Sequence, residues 1–419
     1  MKRFTIAVVS VLAVLMALPV MAQDEDEMSP LSGGLTFARY RFDYDVRDLA
    51  AGSTSEFFED DFDTTFTFKK GEIELWFEIE FADNVMGDDN ATQNSYSDAF
   101  KGYGAKWTPE SLSDSEFFLQ VGDLGTGFGK NVNNDDSPRG SIEVGFTSGT
   151  ASFVLGYGRT YEGNTDDDAE GDGNLIRGQV SMPLGESGFT VGTYLAGYFA
   201  SDIIIQEAEE GDSTAVPPVA AVPEIKGDST VFLGSLNLSG TAGSFDVFAE
   251  TGFASGTDDT VSGEIDLSGF YLLGGFSMPV GTMTLGVETG FGTGNDPDTS
   301  DNEGFLGVNN DFGIDMIIED ALTDDGLSNK MYAKLSLSAS PTEKMGLDTN
   351  FVYVAPVEDV DGVNGTTVDS YGFEVNGSMN YKLADNLKYI LEVAFASLEE
   401  DWLGESSAYK TMNRLEFKF

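Results

Sequence analysis

The sequence has 419 residues, 22 Lys plus Arg against 72 Asp plus Glu, no His and no Cys, and a formal charge of −50. Without Cys there is no disulfide, thiolate nucleophile, thiolate metal site or haem attachment, and without His the usual general base and the commonest metal ligand are missing. A polyanion of this strength repels nucleic acid, while 32 Phe and 15 Tyr argue against a disordered chain, because aromatic residues repay ordering by burial. What remains is a binder, a structural protein or a channel. Neither an enzyme nor a cofactor is expected.

Lys2 and Arg3 precede an apolar run over residues 4–21, and Ala22 is followed by the polar Gln23, Asp24 and Glu25. This is the pattern of a cleaved secretory signal peptide, residues 1–22. No other segment has the roughly 20 consecutive apolar residues of a membrane helix. An exported chain of this kind is either soluble outside the inner membrane or a barrel in an outer membrane.

Further along, apolar residues recur at every second position, the period of a β-strand. Ile73, Leu75, Phe77, Ile79 and Phe81 alternate with Glu72, Glu74, Trp76, Glu78 and Glu80. Met331, Ala333, Leu335 and Leu337 are interleaved with Tyr332, Lys334, Ser336 and Ser338. The same pattern holds for Met345, Leu347, Phe351 and Tyr353, for Tyr371, Phe373, Val375, Met379 and Tyr381, and for Leu387, Tyr389, Leu391, Val393 and Phe395. Each segment has about ten residues, the length of a tilted strand crossing a bilayer.

Connections alternate between short and long. Short ones fall at 69–71, 147–150, 185–188, 240–243, 279–282, 341–344 and 383–386. Long ones fall at 46–61, 82–95, 124–139, 160–172, 200–228, 254–264, 293–328, 355–369 and 397–406. Short periplasmic turns and long external loops are the rhythm of an outer-membrane barrel. Nine long loops predict nine hairpins, hence an all-β, antiparallel up-and-down transmembrane β-barrel of about 18 strands. Poor alternation over 96–107 and 229–239 keeps 16 strands as the alternative. A soluble β-sandwich also alternates but lacks the two-length rhythm.

The final segment, residues 409–419, puts Tyr409, Leu415, Phe417 and the terminal Phe419 on one parity. It resembles the C-terminal assembly signal of Gram-negative outer-membrane proteins, and the chain as a whole resembles the outer-membrane porins over residues 34–419. Residues 23–33 then read as a short periplasmic tail, with no room for a plug domain. The resemblance implies a homotrimer in outer-membrane lipid and an inward-folding third loop.

If the apolar parity faces lipid, the other parity lines the pore. On that parity Glu72, Glu74, Glu78 and Glu80 form an acidic stripe, joined by Asp246, Glu250, Glu288 and Glu374. Glu143, Asp348, Glu392 and Glu416 add further carboxylates, and Arg177, Lys334 and Lys388 add cations. If the first strand pairs with the last, Arg39, Arg41, Lys410 and Arg414 form one basic patch. Carboxylates outnumber cations on this parity, which favours cation passage. In the third loop, Asp135 and Asp136 would face the arginines across a constriction. Clusters at 166–171 and 295–303 have calcium-like spacing but lack the terminal carboxylate or the turn glycine of such loops, so they read as solvated acidic surface and no metal is assigned.

The expected function is a passive outer-membrane diffusion channel for small hydrophilic solutes and ions, preferring cations. Two alternatives stand beside it. One is a substrate-selective channel in which the basic patch and Trp76 form a binding track. The other is a structural barrel associated with further envelope proteins.

Overall fold

The computed structural model describes residues 32–48, 54–86, 100–125, 128–130, 139–162, 172–206, 225–259, 265–295, 302–305, 312–314, 316–318, 326–362, 366–404 and 406–418. The segment assigned to the signal peptide, Asp135 and Asp136 lie outside them.

The strands in chain order are β1 (Ser32–Asp48), β2 (Thr54–Lys70), β3 (Ile73–Met86), β4 (Phe100–Trp107), β5 (Phe118–Gly122), β6 (Arg139–Ser148) and β7 (Ala151–Glu162). Then come β8 (Asp172–Pro183), β9 (Phe189–Gln206), β10 (Ile225–Ala242), β11 (Phe245–Asp258), β12 (Ile265–Val280), β13 (Met283–Gly292), β14 (Lys330–Thr342) and β15 (Met345–Pro356). A two-stranded ribbon, β16 (Val360–Asp361) with β17 (Thr367–Val368), sits in the eighth long loop. The series closes with β18 (Gly372–Ala384), β19 (Leu387–Leu398) and β20 (Ser407–Lys418).

Except for the ribbon, all strands belong to one 18-stranded antiparallel sheet in which sequence neighbours pair. β1 pairs with β2 on one side and with β20 on the other, from Arg39↔Lys418 to Asp48↔Tyr409. The sheet therefore closes on itself, and no edge is left with unpaired backbone groups. Among the described residues no helix is long and apolar enough to cross a membrane; strands are the spanning elements.

Tight turns join the strands at one end. At Gly243, between β10 and β11, φ is +68°, a conformation that costs a side chain dearly and a glycine nothing. One connection at this end is longer than the sequence rhythm suggests: residues 108–117, between β4 and β5, contain a short 3-10 helix, Glu110–Ser115. The other nine connections lie at the opposite end; those at 49–53 and 259–264 are shorter than the loops read at 46–61 and 254–264, because the strands continue into those segments.

Side-chain direction follows the predicted parity. Leu155 is 62% exposed, Leu272 56% and Phe395 51%, whereas Glu250 on the opposite face is 1% exposed. An apolar exterior around buried polar groups is the reverse of a soluble sandwich. Tyr371 departs from its predicted place. It lies just before β18, where Gly372 has φ +128°, and it is buried with its ring 4.7 Å from that of Trp402 instead of facing outward.

Candidate functional site

The inner wall is the candidate site, and two loops divide it. The described residues of the third long loop, 123–125 and 128–130, pack on inward side chains of the sheet. The loop's first anchor is Arg177 on β8, whose Nη2 donates to the Leu124 carbonyl at 2.8 Å. Arg177 also donates through Nε and Nη2 to Glu143 on β6. This pair is almost wholly buried, so each charge depends on the other. Next, Phe128 stacks on Tyr194 of β9 with ring centroids 5.9 Å apart.

Beyond Phe128 the loop is fastened by two carboxylates. Glu250 on β11 accepts the Lys130 backbone N–H at 2.7 Å, the Tyr271 hydroxyl at 2.7 Å and the Asn237 amide at 3.1 Å. The approach is so close that a Cβ on Gly129 would lie 1.8 Å from Glu250 Oε2, and φ there is +57°. Only glycine fits. Lys130 Nζ then reaches Glu288 on β13 at 2.9 Å and sits 4.1 Å from the centre of the Phe248 ring. Tyr332 donates to the other oxygen of Glu288 at 2.8 Å.

A second inward loop, the seventh, was not read from sequence. Phe305 packs on Tyr271 of β12 at 4.7 Å, and Phe312 on Tyr332 of β14 at 6.1 Å. Phe305, Phe312, Ile314, Ile317 and Ile318 are all buried. Its clamp is Glu374 on β18, which is fully buried. That carboxylate accepts the backbone N–H groups of Met316 at 3.0 Å, Ile317 at 2.8 Å and Ile318 at 3.3 Å, and the Asn376 amide at 2.8 Å. Successive backbone N–H groups make a concavity for an anion; here the anion is the protein's own.

The described parts of the two loops touch inward side chains on β8, β9, β11, β12, β13, β14 and β18. The wall of β20, β1, β2 and β3 has no such cover among the described residues, and its charges are sorted by strand. Arg39 stands opposite Lys418 and Arg41 opposite Glu416 across the closing seam. Lys388 on β19 is also opposite Glu416, and Lys410 and Arg414 continue the row on β20. The four cations expected to form one patch lie on the two strands of the seam but are spread along it, Arg414 opposite Asp43 and Lys410 opposite Arg47, with carboxylates between them. Arg39 Nε donates to Asp63 of β2 at 2.7 Å, and Lys418 lies 3.2 Å from Glu416. Asp63 was missed because its partner could be named only once strand register was known. At the short-turn mouth a cavity of about 440 Å³ includes Lys344, Lys382, Lys388 and Lys418 in its lining, with Glu343, Asp385 and Glu416.

Glu74 and Glu78 lie two strands away on β3. Glu80 is on the same strand, but its side chain lies outside the described set. Trp76, also on the inward parity, packs flat over Gly104 of β4, where a Cβ would meet the indole at 2.1 Å. Asp246, near the β10–β11 turn, accepts the Thr241 hydroxyl at 2.9 Å.

Four predicted pore-lining carboxylates need correction. Glu72 precedes β3 in an exposed turn, where it accepts the Trp107 indole N–H at 2.9 Å and the Glu110 backbone N–H at 2.6 Å. These two donors hold its carboxyl below the usual carboxylate range. Glu250, Glu288 and Glu374 do point inward, but their oxygens are committed to loop anchoring. Among the described residues no group of three or more acidic side chains could hold a metal ion.

No protein-family model matches the sequence, and no curated protein matches it significantly. Comparison with solved structures is decisive for the architecture. OccK2 (OpdF) of Pseudomonas aeruginosa, in complex with glucuronate, superposes with a TM-score of 0.59 at 13% identity, covering 93% of this chain and 98% of that one. The chain has the outer-membrane porin fold. OccK9 (OpdG) of the same organism gives 0.58 at 13% identity over 93% and 98% of the two chains, and OpdK with vanillate gives 0.56 at 12% over 91% and 97%. In porin-fold terms, the sorted charges stand on the wall that the two inward loops leave open.

Proposed function

We propose that the protein is a selective diffusion channel of the outer membrane, passing small hydrophilic solutes with charged or dipolar groups. The observation that carries this reading is the sorting of charge on the uncovered wall. Cations predominate on β20 and β1, interrupted by Glu416 and by Asp63 of β2, and Glu74 and Glu78 stand on β3, with Lys69 and Lys106 opposite Glu74. Fixed charges in a confined aqueous space act on solutes far more strongly than they would in bulk water. A solute's anionic group would follow the first row and its cationic group the second.

The cation preference expected from the whole-wall count is not carried over. Glu143, Glu250, Glu288 and Glu374 weighed in that count, and all four are spent on Arg177 or on the loops. The neighbours bound to glucuronate and vanillate favour the selective reading over a general pore. Export through residues 1–22, insertion in outer-membrane lipid and a homotrimeric assembly belong to the same proposal. No catalysis is part of it.

Planar-bilayer recording of the purified protein tests this. Discrete conductance steps, reduced by millimolar glucuronate in a way that Arg41→Gln with Arg414→Gln relieves, are expected. Absence of steps, or a current indifferent to every charged solute and to these variants, overturns it.

A further inference from the structure

Beneath the seventh loop lies a polar alcove of about 220 Å³. Its roof is the loop itself, Gly313, Ile314 and Met316, held in place by Glu374. Its wall is a diagonal of inward side chains on four adjacent strands: Lys334 on β14, Asn350 on β15, Asn376 and Ser378 on β18, and Glu392 on β19.

The polar inventory is unevenly used. Among the described residues Lys334 Nζ donates to the Ile314 carbonyl at 3.1 Å; an ammonium has three hydrogens to give. Its cross-strand neighbour Glu288 is already engaged by Lys130 and Tyr332. Asn350 gives its amide to Asn376 Oδ1 at 2.8 Å, which turns its own carbonyl oxygen to other use. Asn376 in turn is spent on Glu374. Ser378 and Glu392 are half-buried on the side toward the passage. The alcove thus has a cationic donor at one end, a carboxylate at the other, and an amide oxygen and a hydroxyl between them.

We infer that this alcove is a binding site for a small zwitterion whose carboxylate is taken by Lys334 and whose ammonium is taken by Glu392. Three strand spacings and an offset of four residues along the strand place the two Cα atoms about 20 Å from each other. The inward reach of both side chains leaves a gap suited to a solute whose charges are several bonds apart, an ω-amino acid or a dipeptide. The inference rests on the channel reading for its biological meaning, because the alcove opens beside the conducting wall. The binding chemistry itself does not depend on conduction.

The probe is δ-aminovalerate, compared with valerate and pentylamine, each lacking one charge. Calorimetric titration into detergent-solubilised protein needs no current, so it stands apart from the bilayer test of the channel. Tighter binding of the zwitterion than of either analogue is expected, by about tenfold or more for a charge-assisted contact. Glu392→Gln should weaken δ-aminovalerate by a similar factor and leave valerate unchanged. Ser378→Ala should have a smaller effect in the same direction. Equal affinity for the three probes, or no change in δ-aminovalerate affinity in Glu392→Gln with the barrel intact by heat-modifiable gel migration, overturns the inference.

Discussion

Between β8 and β18 much of the inner wall is packed beneath the two loops. Leu175, Tyr194, Leu233, Tyr271 and Leu273 are buried there, and the nearby carboxylates are bonded to loop backbone or to a partner cation. From β20 to β3 the same barrel presents Arg41, Arg414, Lys410, Glu74 and Glu78 on a wall that neither loop touches. Both regions have the same strand geometry and the same alternation. What differs is the fate of the polar groups. Under the loops each carboxylate serves as an anchor, because a buried charge is tolerable only when its hydrogen bonds are made. On the open wall the charges are not spent on holding either loop. Acidic residues that look equivalent in sequence therefore belong to two populations, one structural and one facing the passage.

The largest test of this contrast is Arg177→Met. It leaves Glu143 buried without its partner and should cost about 3–5 kcal/mol in denaturant unfolding from lipid vesicles. The double variant with Glu143→Gln should recover a large part of the loss. Next comes Glu374→Ala, which strands the backbone N–H groups of residues 316–318. A loss of about 2–3 kcal/mol, increased single-channel conductance and new protease sensitivity within residues 293–329 are the expected signs. Unchanged conductance would mean that this loop does not narrow the passage. On the open wall the same kind of change should leave stability almost untouched. There, Arg41→Gln with Arg414→Gln should move the reversal potential toward cations in a salt gradient, and Glu74→Gln with Glu78→Gln should move it toward anions.

The smallest effect belongs to Glu72, outside both regions. Its carboxyl is held below the ordinary value of 4.5, first by the Trp107 indole and then by the Glu110 backbone N–H. A depressed folded value means that its contribution is fully present above pH 4.5 and is lost only as pH falls through the lower folded value. Trp107 emission, read in a background without Trp76 and Trp402, should therefore hold steady through pH 4.5 and change only in stronger acid. The Glu72→Gln variant should not show that transition.

Much of the fold was legible because membrane barrels obey a strict period and a strict loop rhythm. The nine connections at the long-loop end were located, although strands run deep into the segments read as loops at 46–61 and 254–264, and parity placed Phe395, Val375 and Glu374 on the correct faces. The turn at 108–117 escaped because β5 is only five residues long, too short to show a period. At the site, sequence singled out Glu250, Glu288 and Glu374 by parity but could not show what they bond. Glu250 meets Lys130 across 120 positions, a pairing that no local pattern encodes. The seventh loop did carry a signal, the apolar Phe312, Ile314, Met316, Ile317 and Ile318 inside an acidic stretch. Apolar residues of that kind have no reason to stay in water.

Because the chain has no Cys, a single introduced thiol can report on each region. Thr67, on the inward face of β2, and Leu273, 1% exposed on the inward face of β12, are the sites to compare. With a water-soluble, membrane-impermeant thiol reagent, Thr67→Cys should react quickly and change the current, while Leu273→Cys should stay unmodified until Glu374→Ala or denaturant loosens its cover. Equal reaction at both positions, or reaction at Thr67→Cys only with a lipid-soluble reagent, would contradict a barrel that is wet along one wall and packed beneath its loops at Leu273.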